Sequence, residues 1–430
     1  MEHGPQGDPG CRLHDVVQRQ APADHRRHYP AVLRAIVFCG LRSALELPCR
    51  ACAFGLYHRY PADPAYRQRH THRPVHHVGL HSPRLYRVER PPPLPAGRNA
   101  GSRQYGAPRA MSGQNAADQH AMRFIVHADD CGLTPSISAD ILDCLAHGPL
   151  NSVSVVMGGS DTKASLQALA GLPRTRVCLH LNILEGRCSA PIGQVRPLVD
   201  EAGVFRYGLG QMLAALAAGT AARKKALLFA IRTELEAQID AFAAGIGCLH
   251  QRSGLHLDGH LHIHCIPALQ QTMAELMHEH RPSYVRLPNE PAHLAPLPLL
   301  PLLVGCARRA LLTHWSAGFV RLLDSMGIAH NQYLCGLVAG GNLTAARVAA
   351  SLSAIQLRRQ PSPLVEIMCH PGGISAQDAD SRIRHNGFYQ SPARQTEKKM
   401  LLDGSLSHVL ARYGTVTDVA ADTPPPCPTC

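Results

Sequence analysis

Short apolar runs and stretches of helical period alternate along much of this chain. Four runs predict buried strands, at 124–126, 152–157, 177–182 and 364–369. Two amphipathic stretches, 136–145 and 224–243, carry apolar residues about one turn apart and predict helices. A further apolar stretch, 297–312, predicts a helical insertion that covers either a substrate cleft or a subunit interface. Strand and helix therefore recur, and the pattern favours an α/β fold built as a (β/α) barrel.

The segment 256–264 is unusual because histidine and aspartate alternate in it with other residues. Successive side chains of a strand point to opposite faces, so this alternation predicts one extended strand with its charged and imidazole side chains together. That face would hold His256, Asp258, His260, His262 and His264, and the other would hold Leu257, Leu261 and Ile263. Imidazole and carboxylate groups suit Zn²⁺, Mn²⁺ or Mg²⁺, so the segment predicts part of a divalent metal site.

Three of the predicted strands carry polar residues that would complete such a site. Asp129 and Asp130 follow the first run, His180 lies in the third, and His370 follows the last. In a parallel α/β barrel the carboxyl ends of the strands meet on one face, so we expect these side chains near the histidine segment. Each motif also has a plainer interpretation: a solvated turn for Asp-Asp, a core histidine for His180, and a tight turn for His-Pro-Gly.

Most of the positive charge belongs to the first 121 residues. They include 17 Arg, no Lys, 11 of the 27 His and 8 acidic residues, and they contribute +9 of the net +12. Their arginine, histidine and proline clusters predict disorder. One hypothesis is an arm that binds nucleic acid or an anionic surface. We favour the alternative, in which translation starts at Met111 or Met122 and this segment is not native coding sequence.

Taken together, the motifs resemble the YdjC family, also called the ChbG/HpnK carbohydrate deacetylases. The resemblance covers about residues 122 to 418 and rests on Ala128-Asp129-Asp130-x-Gly132, Leu179-His180-Leu181-Asn182, the histidine segment with Pro267 after it, Tyr284-Val285-Arg286, and Glu366-x-x-x-His370-Pro371. The chain departs from the family pattern at Cys131, where Phe is common, and at Gly259 and Leu261, where a small polar pair is usual.

From the span of the resemblance we expect a disordered segment at 1–121, a YdjC-like deacetylase domain at 122–418, and a disordered tail at 419–430.

The resemblance implies a deformed (β/α) TIM-like barrel and a carbohydrate deacetylase, a hydrolase acting on linear amide C–N bonds. It would remove the acetyl group from an N-acetylated amino sugar, using one divalent metal ion, Mg²⁺ or Zn²⁺, with Mn²⁺ as a further candidate. Asp130, His180 and His260 would hold the metal, Asp129 would act as base, and His370 would be the acid or the oxyanion partner. The substrate-binding or ligand-orienting candidates are His256, Asp258, His262, His264 and Arg286.

Elementary chemistry supports these roles independently of the family. A bound cation polarises an amide carbonyl and lowers the pKa of its water, and two histidines with one carboxylate leave coordination positions open for both. Adjacent Asp129 and Asp130 cannot face the same way in a regular strand, so we expect the turn at Gly132 to redirect one of them. A histidine pKa near neutrality suits His370 to protonate the leaving amine. Arg286 would either steady Asp129 or contact a sugar hydroxyl.

Two rival functions use similar residues. A metal-dependent phosphoesterase needs clustered Lys and Arg for phosphate, which are sparse around the motifs. A non-catalytic metal- or sugar-binding protein would not require the Asp129 and His370 pair. The sequence leaves the acceptor open among chitooligosaccharide, lipid-linked and hopanoid-linked sugars.

The sequence shows no secretory signal and no membrane-spanning segment, which predicts a cytoplasmic protein. The resemblance implies a role in carbohydrate metabolism. The expected partner is the N-acetylated sugar and not nucleic acid, with a homodimer left open. Fifteen cysteines lack a disulfide-like spacing, so reduced thiols are expected. Cys131 is interpreted either as a secondary soft ligand or as a small buried residue. The Cys427 and Cys430 pair is assigned to the tail.

Overall fold

The computed structural model describes residues 121–418 except 173, 247–253, 379–382 and 384–386. The predicted disordered segment and the C-terminal tail, including its cysteine pair, lie outside the described residues apart from Ala121.

Eight strands of the described chain form one parallel sheet. The strands are β1 Met122–Cys131, β2 Ser152–Val156, β3 Arg176–Leu181, β4 His256–Gly259, β5 Tyr284–Val285, β6 Tyr333–Cys335, β7 Leu364–Cys369 and β8 Gly414–Val416. They pair in the order β5-β4-β3-β2-β1-β7-β6, and β8 lies beside the first residues of β1. A parallel bridge between Tyr284 and Ala329 draws the β5 edge towards the segment before β6. The predicted barrel-like α/β fold is confirmed.

Helices connect the strands and pack against the sheet. They are α1 Pro135–His147, α2 Thr162–Ala170, α3 Ile192–Val195, α4 Leu209–Ala218, α5 Ala221–Ile246, α6 Gln270–His280, α7 Leu299–Met326, α8 Ala345–Gln356, α9 Pro392–Leu402 and α10 Ser405–Leu410. Short 3₁₀ turns lie at His260–Cys265, Pro267–Leu269 and Ala376–Asp378. Among the described helices none is long and apolar enough to cross a membrane, even though α7 has 28 residues.

The predicted helices form for the expected reasons. Helix α1 starts at Pro135 after Thr134, whose side chain accepts a hydrogen bond from the Ile137 amide, so the first turn is capped. In α5 the predicted apolar positions are buried at Leu227, Ile231, Leu235 and Ile239. Glu234, which the pattern groups with the polar positions of this helix, is also completely buried and accepts hydrogen bonds from the amides of Ser189 and Ala190.

The prediction of one strand over 256–264 is wrong beyond Gly259. Strand β4 ends there, and His260–Cys265 form a 3₁₀ turn in which Leu261 and His262 have φ angles of 50° and 57°. This left-handed backbone breaks the two-residue alternation of a strand. Leu261 is consequently 37% exposed and does not join the apolar face on which it was expected.

Candidate active site

The main predicted site residues lie at the carboxyl ends of the strands, which meet at one end of the sheet as in a parallel barrel. Asp129 and Asp130 come from β1, His180 from β3, His260 from the turn after β4, Arg286 from just after β5, and His370 from the loop after β7. All of these side chains are buried except that of His370, which is largely buried but 12% exposed.

Asp129 and Asp130 face the same site because the backbone turns between them. Asp130 has a φ of 73°, and the pairing of β1 with β2 shifts register between Ala128 and Cys131, which marks a bulge. Aspartate tolerates left-handed backbone better than most residues, at a cost of about 1 kcal/mol or more. The redirection expected at Gly132 therefore begins at Asp130 itself.

Three side chains converge as the sequence predicted, and we call Asp130, His180 and His260 the Asp130 triad. Their ligand atoms all lie within 4.8 Å of one another. Asp130 Oδ1 lies 3.3 Å from His260 Nδ1 and 3.8 Å from His180 Nε2. Burial opposes ionisation of Asp130, but its hydrogen bond with His260 and the nearby Arg394 guanidinium lower its pKa well below the usual range. The triad thus presents one anionic oxygen and two ring nitrogens at a single point.

Asp258 orients His180 within the triad. His180 Nδ1 donates to Asp258 Oδ1 at 2.7 Å and also lies 3.0 Å from Ser154 Oγ, so the opposite nitrogen, Nε2, faces Asp130. Burial disfavours the charged ring, but the carboxylates of Asp258, Asp129 and Asp130 together outweigh it and raise the pKa of His180 to about 8. Histidines that bind a metal through one ring nitrogen usually donate the N–H of the other to a carboxylate in this way.

Arg286 is completely buried and joins three carboxylates, which we call the Arg286 network. Its Nη1 and Nη2 donate to the two oxygens of Asp129 at 2.8 and 2.7 Å, Nη2 also lies 2.8 Å from Asp258 Oδ2, and Nε donates to Glu366 at 2.6 Å. Burial would raise the pKa of Asp129, but the guanidinium outweighs it and lowers that pKa to about 2. Of its two expected roles, this geometry fits the steadying of Asp129.

His127 also belongs to this network, although the sequence argument did not assign it a role. Its Nε2 lies 3.3 Å from both Asp129 Oδ1 and Asp258 Oδ2, and its Nδ1 lies 2.8 Å from Ser152 Oγ. It is two residues before Asp129 in β1, so strand alternation was the signal that placed it on the same face.

His370 lies across from Asp129, with its Nε2 3.8 Å from Asp129 Oδ2. Its backbone amide donates to Glu397 Oε2 at 2.5 Å, which fixes the start of the loop after β7. Burial lowers the pKa of His370 to about 4, so the ring is neutral near pH 7. The near-neutral pKa expected from sequence is therefore not what this environment produces.

The site opens into a cleft of about 1030 Å³, open solvent included. Helix α7 supplies one wall through Arg308, Leu311, Leu312 and Trp315, so the predicted helical insertion does border a cleft. The remaining wall residues include Leu209, Leu213, Leu261, Leu337, Met368, Phe388 and Tyr389. The cleft is therefore polar at the carboxylates and largely apolar away from them.

The other predicted site residues have different surroundings. His262 lines the cleft, and burial holds its pKa well below the usual range. His264 Nε2 instead lies 2.9 Å from the Arg286 carbonyl oxygen, and its ring packs edge-on against Phe319. His256 packs edge-on against Tyr284, away from the cleft lining. Cys131 is buried as a free thiol, and burial raises its pKa to about 11, which fits the small buried residue and not the soft ligand.

Helix α9 and the loop before it contribute site residues that no sequence motif indicated. Arg394 Nη1 lies 3.0 Å from Asp130 Oδ2, and the hydroxyl of Tyr389, just before the helix, lies 3.3 Å from His260 Nε2. Both side chains are buried. In sequence Arg394 belongs to the strongly polar stretch 394–399, which is typical of an exposed helix and gave no sign of burial.

The parallel barrel-like sheet, with two carboxylates and two histidines at its carboxyl ends, defines a class of α/β proteins with a candidate site for a divalent cation. Within that class, the model of the YdjC-like protein family matches residues 123–412. The chain belongs to this family, which confirms the resemblance seen in the motifs.

Curated relatives agree with the family. The chain is 34% identical over 173 residues to a carbohydrate deacetylase of Mus musculus, covering 39% of this chain and 51% of that protein. It is 26% identical over 291 residues to the chitooligosaccharide deacetylase of Proteus mirabilis (strain HI4320), covering 68% and 94%. The match thus spans about half the length of the mouse relative.

A solved structure from Enterococcus faecalis V583, of a protein whose proposed role is cellobiose-phosphate cleavage, has a similar fold. The TM-score is 0.52 at 17% identity, covering 71% of this chain and 100% of that one. This likeness supports the fold alone.

Proposed function

We propose that this chain is a metal-dependent hydrolase that removes the acetyl group from an N-acetylated amino sugar. One observation carries the proposal: the Asp130 triad lies directly beside Asp129 and His370, at the polar end of a single cleft. The names of the mouse and Proteus mirabilis relatives give the reaction class.

The residues of the triad fit a divalent cation. Two imidazoles and one carboxylate are ligands of catalytic Zn²⁺, and they also accept Mg²⁺ or Mn²⁺. The hydrogen bond between His180 Nδ1 and Asp258 leaves Nε2 as the ligand atom, which is what metal binding requires of this side chain. When bound, such an ion would polarise the amide carbonyl and lower the pKa of a water molecule.

Asp129 would receive the proton of the attacking water. Arg286 keeps Asp129 ionised by lowering the pKa of its carboxyl group to about 2, and two hydrogen bonds from Arg286 fix the direction of both carboxylate oxygens. Once protonated, a carboxyl group of such low pKa gives up its proton readily, so Asp129 would return it to the leaving amine. One side chain would thus handle the proton in both directions.

His370 would act as the oxyanion partner, the second of its two expected roles. Its ring is neutral near pH 7 because burial lowers its pKa to about 4, so it has no extra proton to give at the start. A neutral ring with its proton on Nε2 would donate a hydrogen bond to the developing oxyanion.

The cleft would hold the sugar by its apolar ring faces. Trp315, Phe388 and Tyr389 line it, and flat aromatic surfaces suit the C–H faces of pyranose rings. The apolar wall from α7 would surround whatever group the amino sugar carries beyond the acetamide.

Acetate release from N-acetylglucosamine oligomers tests the proposal. The full chain is assayed as purified, after chelation, and with Zn²⁺, Mg²⁺ or Mn²⁺ restored. We expect release that chelation abolishes and one or more of the ions restores. Phosphoester hydrolysis by the same metal-loaded protein, with no acetate released from any N-acetylated sugar, would favour the rival phosphoesterase.

A further inference from the structure

Helix α9 places two charged side chains behind the site. Arg394 and Glu397 lie about one turn apart, and both are completely buried. Glu397 accepts hydrogen bonds from the amides of Leu343 at 2.7 Å and His370 at 2.5 Å. The helix is therefore tied to the loops that border the cleft, and its position relative to the site is fixed.

Arg394 is held on several sides. Its Nε donates to the Gly372 carbonyl, its guanidinium lies 4.9 Å from the Phe388 ring centre and 5.4 Å from that of Tyr389, and its Nη1 reaches Asp130. A planar guanidinium with this many contacts cannot swing away as a flexible ammonium group would.

The two oxygens of Asp130 consequently have different surroundings. Oδ1 faces His260 and His180, whereas Oδ2 lies 3.0 Å from Arg394 Nη1. We infer that Arg394 is a positioning residue that occupies Oδ2 and restricts Asp130 to a single ligand atom, Oδ1, for the metal. This inference rests on the proposed function only in taking the Asp130 triad to bind a divalent cation.

Metal titration of the full chain tests this role without any substrate. R394Q removes the charge and R394K keeps it while losing the planar fork. We expect both variants to bind Zn²⁺ and Co²⁺ about 10- to 100-fold more weakly than the wild type, the usual cost of removing an orienting partner. With Co²⁺, R394Q should also show weaker visible absorption, because a freed carboxylate can bind through both oxygens and raise the coordination number.

The matched control is K398Q, on the same helix. It removes the same charge, but Lys398 contacts Asp140 and Asp143 and not the triad, so wild-type affinity is expected. Unchanged affinity and spectra in both Arg394 variants would overturn the inference. The inference would also be overturned if R394K bound metal with wild-type affinity and R394Q bound it more tightly, because that pattern means that Arg394 acts only by repelling the metal cation.

If circular dichroism shows that R394Q does not fold, the metal affinity and Co²⁺ spectrum of R394K decide. Two outcomes separate this inference from the proposed reaction. If the wild type releases acetate in a metal-dependent way but both Arg394 variants bind metal as the wild type does, only the positioning role is refuted. If the wild type binds metal but releases no acetate, only the proposed reaction is refuted.

Discussion

The Arg286 network and the Asp130 triad lie side by side but treat their charges in opposite ways. In the network one guanidinium satisfies three carboxylates, and both oxygens of Asp129 are already taken. In the triad, Oδ1 of Asp130 faces only ring nitrogens within ion-pair distance among the described residues. The two consecutive aspartates thus differ. Asp129, on the closed side, is oriented by the guanidinium but keeps lone pairs that can accept a proton, whereas Asp130, on the open side, presents Oδ1 to two ring nitrogens.

The largest expected effect comes from breaking the closed side. R286M would leave Asp129, Asp258 and Glu366 buried without their cation, which costs about 3–5 kcal/mol of stability. Urea unfolding measures the loss. The control is R232M, because Arg232 also meets three carboxylates, of Glu236, Glu275 and Glu279, but does so at the surface. That change should cost less than about 1 kcal/mol. Equal losses would contradict the distinction between the two regions.

Breaking the open side should abolish function with less effect on folding. H180A and H260A each remove one proposed ligand, so bound metal and acetate release should fall together, with activity lost by about 10³-fold or more. Metal analysis and acetate assays on the same preparations check this. H147A, at an exposed histidine on α1, is the control. Full metal occupancy in either site variant would refute the ligand assignment.

Asp129 sharpens the boundary between the two regions. D129N should keep metal and sugar binding but slow turnover by about 10²- to 10⁴-fold, the usual range for a lost general base. Calorimetry for binding and acetate release for turnover separate the two effects. Unchanged turnover would refute Asp129 as the base, whereas binding without turnover in the wild type would favour a binding protein over a hydrolase.

The smallest expected effect is on the pH dependence of metal binding. Because the pKa of His180 is raised to about 8, a metal must displace its proton below that pH. Metal affinity should rise about 10-fold per pH unit below about pH 8 and level off above it. In the metal-free protein the sign is reversed: the protonated ring stabilises the fold below about pH 6.5, and this is lost as the pH rises through about 8. Zn²⁺ titrations across this range check the slope, and a flat profile would contradict it.

Local patterns predicted what depends on local structure. The apolar runs, the helix over α5 and the Asp-Asp pair at a strand end all follow from neighbouring residues. The strand prediction for the histidine segment failed where Leu261 and His262 adopt positive φ angles, because an alternation of residue types does not indicate a turn of that kind.

The rest of the site depends on distant contacts. Arg394 reaches Asp130 across 264 residues, from a polar stretch that would suit a solvated helix. The sequence places Arg286 in a motif but does not show whether it steadies Asp129 or contacts a sugar hydroxyl, because that depends on its burial and on carboxylates from other strands.

The partners of Arg286 have a consequence for how the protein is made. Asp129 precedes it by 157 residues and Glu366 follows it by 80, so the network cannot form until strands from both ends of the domain have docked. Such long-range closure is slow compared with helix formation. A nascent chain that has not yet released β7 from the ribosome would therefore leave Arg286 Nε without its Glu366 acceptor, and the barrel and its site should mature in the same late step.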